Sequence, residues 1–285
     1  MQNPKLAFFG TPYVARDTFD ILFAKGFVPA VVVTSPDAKK GRGLALQPSE
    51  AKSWALAHGI PVLTPEKLDD AVLGEISSFG CDVAIVVAYG KIFPEQFLDA
   101  FPRGVLNIHY SLLPKYRGAS PVESALLAGD AVTGVSIQKM ARELDAGDIV
   151  AQTEVPILPE ETTQELRPRL ITIGAELLAG TLPAFLDGRT VTRPQDASQA
   201  TFTKKIAKAD GLLDLANDPH ENWNKYRAYA ESPGTYFFLE RDGKSVRVKI
   251  AAAKYGNGVF TPTRVIPEGK REMNYEDFAR SFCVN

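Results

Sequence analysis

The run Val83-Ala84-Ile85-Val86-Val87-Ala88 constrains the fold more than any other stretch of the chain. A strand with one wet face alternates polar and apolar side chains, so six apolar residues without alternation point to burial on both faces. Residues 29–34 (Pro-Ala-Val-Val-Val-Thr) repeat the pattern, residues 5–9 are a short apolar strand, and residues 104–109 are a further strand. Between them a helix-like segment carries Val14, Phe19, Ile21 and Leu22 and stops at Lys25-Gly26. Residues 35–47 read as a polar loop, 49–58, 68–78 and 93–100 as helices, and 61–63 as a short strand. Strands alternating with helices predict βαβ units, an α/β fold with a doubly wound, mostly parallel sheet.

The second half continues differently. Residues 134–139 and 149–155 alternate as strands around a turn-rich loop, Arg142-Glu143-Leu144-Asp145-Ala146-Gly147-Asp148. Residues 162–186 have helical periodicity, with a break or kink expected at Pro168, where the missing N–H and the ring oppose a helix. Gly188 stops that segment, and 189–200 reads as a linker. The tail, 201–285, begins a helix at Asp218-Pro219-His220-Glu221, with an acidic cap and proline in the first turn. Strands at 235–240 and 245–250 flank a hairpin turn, Arg241-Asp242-Gly243-Lys244. Short strands at 258–261 and 263–266 and a helix at 274–282 complete a smaller, mostly β domain. The division is a body at 1–188, the linker, and a tail domain at 201–285.

Composition excludes several classes. Net charge is −2, so nothing global demands nucleic acid, although residues 200–285 carry 14 basic and 11 acidic side chains against 18 and 23 in residues 1–199. Two distant cysteines, Cys81 and Cys283, form neither a disulfide framework nor a zinc-ligand cluster. No stretch has signal-peptide character or approaches the ~20 apolar residues of a membrane span, so a cytoplasmic location is the default. The first strand-to-helix turn, Phe9-Gly10-Thr11-Pro12, holds one glycine where a dinucleotide fingerprint needs three. The phosphate-cradling Gly-x-x-x-x-Gly-Lys-Ser/Thr loop is also missing from the sequence.

The chemistry concentrates after residue 106. Asn107 and His109 lie two apart on a strand and so share a face. The loop that follows, Tyr110-Ser111-Leu112-Leu113-Pro114-Lys115-Tyr116-Arg117-Gly118, is dense in polar groups. Strand ends and the loops after them are where α/β proteins place their reactions. His58 and His220 lack such company and read as surface residues. Asp145 sits in good turn chemistry, and spacing alone does not bring it to His109.

These motifs resemble the methionyl-tRNA formyltransferases, in the wider superfamily that uses 10-formyltetrahydrofolate. The matching pieces are Phe9-Gly10-Thr11-Pro12; Ser35-Pro36-Asp37 with Gly41-Arg42-Gly43; and Val86-Val87-Ala88-Tyr89-Gly90-Lys91-Ile92. They continue with Asn107-Ile108-His109, Ser111-Leu112-Leu113-Pro114 and Arg117-Gly118-Ala119, then Leu144-Asp145-Ala146-Gly147-Asp148. Pro194-Gln195, Ala200-Thr201 and Lys205-Ile206 match the family's entry into its C-terminal domain.

The resemblance implies transfer of a formyl group from the folate N10 to the α-amino group of methionine on initiator tRNA. Asn107 and protonated His109 would stabilise the oxyanion, His109 would relay a proton, and Asp145 would orient the imidazole. The pterin would meet the backbone of Tyr89, Gly90, Lys91 and Ile92 and the Leu144–Asp145 loop, with Ser111, Leu112, Leu113 and Pro114 lining the folate site. Lys39, Lys40 and Arg42 would contact the tRNA acceptor end, and Lys204, Lys205, Lys208, Arg247 and Lys249 its phosphates. The tail would be an OB-like barrel; no metal is implied. Two features depart from the family: the tail is short, and Ala228-Tyr229-Ala230-Glu231-Ser232-Pro233 lacks the expected tryptophan-bearing pattern. A formyltransferase acting on a nucleotide-linked amino sugar and a non-catalytic RNA-binding relative are the alternatives.

Overall fold

The computed structural model describes residues 4–40, 44–241 and 244–283, with backbone alone for Lys40, Arg241 and 281–283. The chain runs β1 (Leu6–Gly10), α1 (Tyr13–Ala24), β2 (Pro29–Val33), β3 (Ala38–Lys40), β4 (Ala45–Gln47), α2 (Glu50–Ala57), β5 (Val62–Leu63) and α3 (Asp70–Ser78). It continues through β6 (Val83–Val87), α4 (Glu95–Asp99), β7 (Val105–His109), β8 (Arg117–Gly118), α5 (Pro121–Ala128), β9 (Val132–Lys139), β10 (Ile149–Pro156) and α6 (Thr163–Leu186). The last elements are β11 (Phe202–Thr203), α7 (Pro219–Ala228), β12 (Thr235–Arg241), β13 (Lys244–Gly256), β14 (Val259–Pro267), β15 (Met273–Asn274) and α8 (Tyr275–Cys283). Two compact units result, and neither is continuous in sequence. Met1–Gly118, Thr133–Val155 and Pro168–Phe202 make the first; Ala119–Val132, Pro156–Arg167 and Thr203–Asn285 make the second. Residues 189–200, read as a linker, thus belong with the first unit, and α5 belongs with the second.

The first unit is built on a seven-stranded sheet ordered β10-β9-β7-β6-β1-β2-β5. β5, β2, β1, β6 and β7 pair in parallel, and β9 pairs antiparallel to β7. The apolar runs behave as their composition dictates, since every residue of β1 and β6 is buried. Strand order reverses between β1 and β6, and open α/β sheets bind ligands beyond the strand ends at such a switch point. Gly10 is required there for packing: a Cβ would lie 2.3 Å from the Ala15 Cβ and 2.7 Å from the Val87 carbonyl oxygen. Ser49 and Asp69 cap α2 and α3 by accepting from Lys52 N and Val72 N. The expected polar loop at 35–47 contains the β3–β4 ladder, its base held by a Lys52–Asp37 ion pair of 2.6 Å.

Of the break or kink expected at Pro168, the break does not occur, and α6 runs from Thr163 to Leu186 with Pro168 and Pro183 inside it. An interior proline costs about 3 kcal/mol. Burying Leu166, Leu170, Leu178 and Leu182 contributes roughly 1.5–3 kcal/mol each, which outweighs it. The same leucines account for a helix that has, by length and composition alone, the character of a membrane span.

The second unit contains a four-stranded antiparallel sheet, β12-β13-β14-β15, around Phe237, Val248, Ile250, Val265 and Phe278. The hairpin register pairs Arg241 with Lys244, as the turn signal predicted, while Asp242 and Gly243 lie outside the described residues. The two short strands expected at 258–266 are one strand, β14. The thirteen-residue β13 carries register shifts between Ile250 and Ala253, irregularities that bend a strand and increase its twist. Asp218 caps α7 by accepting from His220 N and Glu221 N.

Candidate active site

The alternation in β9 was legible as a strand with one polar face. The structure shows that this face is not wet: Ser136 and Gln138 are both buried. They stand opposite β7, with Gln138 paired to Asn107 and Ser136 to His109. Directly opposed residues on neighbouring strands share a face, so four polar side chains form one patch.

Ser136 organises the loop after β7. Its hydroxyl donates to the Ser111 carbonyl (2.7 Å) and accepts from Leu113 N (3.1 Å) and Gln152 Nε2 (2.8 Å). Ser111 is fully buried and donates to the Lys115 carbonyl (2.6 Å), and Leu113 is buried as well. Of the four residues expected to line the folate site, only Leu112 and Pro114 are partly exposed.

His109 is 5% exposed, and its Nε2 lies 2.9 Å from the Tyr116 carbonyl oxygen. A carbonyl only accepts, so Nε2 carries a hydrogen and Nδ1 is the nitrogen that gains or loses a proton. Nδ1 faces Asp145 Oδ2 at 3.7 Å, close enough for charge pairing and too long for a direct hydrogen bond. The Asp145 carboxylate is fixed from two sides: Gly118 N donates to Oδ2 and Gln138 Nε2 to Oδ1, each at 2.8 Å. The structure therefore brings Asp145 to His109, which spacing could not do. No hydrogen bond to the Asn107 amide is found among the described residues.

Backbone conformation singles out the same place. Ala88 (φ 46°), Tyr116 (φ 60°) and Asp145 (φ 48°) occupy the left-handed region, which disfavours residues with a Cβ. Such conformations persist where surrounding contacts impose them.

Around the switch point, Thr11 donates to the Tyr89 carbonyl (3.3 Å) and shares a 3.0 Å hydrogen bond with Ser35. The Tyr89 ring turns inward against Phe9 and Phe93, and burial pushes its hydroxyl up to about 12. The Lys91 ammonium donates to the Pro65 and Glu66 carbonyls, and burial lowers its pKa. These side chains are thus engaged elsewhere, leaving the backbone of 88–92 to meet a ligand. Ile92 is 90% exposed and Leu144 63% exposed, and an exposed Arg142–Glu95 ion pair of 3.8 Å links their segments.

Of the candidate nucleic-acid contacts, Lys39 is exposed on β3, while Arg42 and the Lys40 side chain lie outside the described residues. Lys204 and Lys205 are exposed, with Lys204 3.6 Å from Asp210. On the second unit, the Arg247 guanidinium lies 3.8 Å from the Tyr236 ring centroid.

Sequence reasoning missed Gln138 and the segment after residue 190. Arg193 pairs with Ile149 through two backbone hydrogen bonds (2.8 and 2.9 Å). Gln195 Nε2 donates to the carbonyls of Asp145 (2.8 Å) and Gly147 (2.7 Å), and its Oε1 accepts from Arg117 Nε (3.1 Å) and Nη2 (2.8 Å). The supposed linker is a strap across the loops that carry the site. The polar phase of β9 was the signal for Gln138; for Gln195 only its proximity to a matching motif was visible.

The family described as formyl transferase matches residues 5–182. The methionyl-tRNA formyltransferase of Bdellovibrio bacteriovorus is 36% identical, covering 100% of this chain and 98% of its own. That of Chloroflexus aggregans is 41% identical over 92% and 84%. Among solved structures, an N-formyltransferase from Helicobacter canadensis in complex with folinic acid and dTDP-3-aminofucose has the same fold, with a TM-score of 0.65 at 19% identity, covering 89% of this chain and 88% of that one.

Proposed function

The chain belongs to the formyltransferase family, with methionyl-tRNA formyltransferases as its full-length relatives, and on that premise we propose that it moves the formyl group of 10-formyltetrahydrofolate onto the α-amino group of methionyl initiator tRNA. The observation that carries the site assignment is the convergence of Asn107, His109 and Asp145, with Nδ1 of the imidazole 3.7 Å from the carboxylate. The amino-sugar alternative rests on likeness of fold alone.

A folate donor fits the residues present. The exposed Ile92 and Leu144 suit a flat apolar ring, and the polar backbone of 88–92 suits its hydrogen-bonding edge. When bound, the folate supplies an activated formyl group on a nitrogen. The chain's own groups then act as follows. The free Asn107 amide donates to the formyl oxygen as charge develops there, with one such donor worth ~10²–10³ in rate. Nε2–H of His109 is anchored on the Tyr116 carbonyl, so the exchanging proton resides on Nδ1. From there it reaches the departing folate nitrogen directly or through water, and the proton released by the amine restores it. The Asp145 carboxylate stabilises the ring while it is charged. The exposed Lys39, Lys204 and Lys205, with Arg42, supply phosphate contacts on the acceptor RNA. Initiator tRNA is a cytoplasmic substrate, which fits the location expected from the sequence.

The test is incubation of the purified protein with 10-formyltetrahydrofolate and charged initiator tRNA, scoring formyl-methionine. Formylation that is lost in Asn107→Ala supports the reading. No product from the wild-type protein, or product from a nucleotide-linked amino sugar in its place, refutes it.

A further inference from the structure

Gln195 makes four hydrogen bonds, and they can be arranged in one way only. Carbonyls accept and a guanidinium donates, so Nε2 must face Asp145 and Gly147 while Oε1 faces Arg117. The two loops it joins hold the reactive pair from opposite sides. Arg117 is flanked by Tyr116, whose carbonyl holds the His109 Nε2–H, and by Gly118, whose N–H holds the Asp145 carboxylate. Both loops contain a left-handed residue with a Cβ, Tyr116 and Asp145, a conformation the local chain does not favour by itself. Gln195 is also delivered in place. Arg193 is paired with Ile149 before it, and Thr201 after it accepts from Tyr116 N through Oγ1 and from Arg117 N through its carbonyl, each at 2.8 Å. The strap therefore stays attached when the one amide is altered.

We propose that Gln195 is a positioning residue for formyl transfer: its amide ties the Asp145–Gly147 loop to the Tyr116–Gly118 loop and so sets the spacing of His109 and Asp145. It touches no reacting atom and acts through Asp145. The proposal rests on the function argued above, in which His109 and Asp145 carry the reaction.

The informative variant is Gln195→Glu, assayed in the full-length enzyme with the folate donor and charged initiator tRNA. The carboxylate keeps the acceptor for Arg117 and loses both donors to the Asp145 loop. The expected result is a fall in kcat of about tenfold to a hundredfold, the scale of a displacement of about 1 Å at a reactive group. KM for both substrates stays within about twofold, because what weakens through Asp145 is its pairing with the charged His109, which serves the transition state. In an Asp145→Asn background the same change costs less than about threefold further, since groups acting as a unit are not additive. Wild-type kcat in Gln195→Glu, a loss confined to KM, or a full further loss on top of Asp145→Asn overturns the proposal. If Gln195→Glu does not fold, Gln195→Met, of the same length without a donor, is judged by the same criteria. Failure of both to fold assigns Gln195 a purely structural role and also overturns it. An inactive wild-type enzyme would instead refute the proposed function, so the two failures are distinguishable.

Discussion

Replacing Asp145 by asparagine separates charge from shape at the centre of the site. The new amide oxygen can still accept from Gly118 N, as Oδ2 does now at 2.8 Å. The new amino group can donate to Gln138 Oε1, which is buried without a partner and becomes available once the Gln138 amide turns over. Local hydrogen bonding thus survives, and what disappears is the negative charge. At 3.7 Å, with an effective dielectric of about 20, that charge attracts a protonated imidazole by about 4 kcal/mol. The His109 side chain is only 6% exposed, so the pair is screened weakly by solvent. Asparagine removes that attraction. A barrier higher by about 4 kcal/mol slows the chemical step ~10³-fold. Single-turnover formylation with a labelled donor measures the step directly, and a thermal melt confirms that the variant is folded. A folded Asp145→Asn enzyme within about tenfold of the wild-type rate would refute the assignment of Asp145 as the partner of a charged His109.

Three further outcomes are expected. Asn107→Ala lowers kcat by ~10²–10³ with little change in KM for the tRNA, checked by steady-state formylation, because the amide serves the developing oxyanion. Gly147→Ala lowers both the melting temperature and kcat: its Cβ would stand 1.8 Å from the Lys139 carbonyl oxygen, so the loop bearing Asp145 must shift, at a cost of about 1–3 kcal/mol. Tyr89→Phe flattens the alkaline loss of stability in urea melts across pH 9–12. The Tyr89 hydroxyl is held up to about 12 by burial, against 10.0 in the unfolded chain. Its contribution is therefore complete below pH 10 and is lost as pH rises toward 12, at up to about 1.4 kcal/mol per unit. Cys81, pushed up to about 11 by burial, adds a parallel loss from pH 9 that the Tyr89 variant retains. Because the Tyr89 hydroxyl is buried without a partner, its removal leaves stability at pH 7 unchanged or raised.

Local patterning was enough for the layered α/β body, because unbroken runs such as 83–88 and 29–34 have one low-energy destination, a sheet covered on both faces. It also placed Asn107 and His109 on one face, since that follows from strand geometry over two residues. Caps at Ser49, Asp69 and Asp218 occupy the helix starts, again a local matter. Other features depend on contacts between segments far apart in the chain. The continuity of α6 through Pro168 and the division into interleaved units were settled by tertiary packing against weak or contrary local signals. The site divides along the same line. Asn107 and His109 stood out as candidates and Asp145 entered through the family resemblance, but the burial of the polar face of β9, the left-handed backbone at Tyr116 and Asp145, and the strap through Gln195 were not legible. Propensity and periodicity act over a few residues, whereas the 3.7 Å between His109 and Asp145 is set by hydrogen bonds reaching from residues 116, 118, 138 and 195.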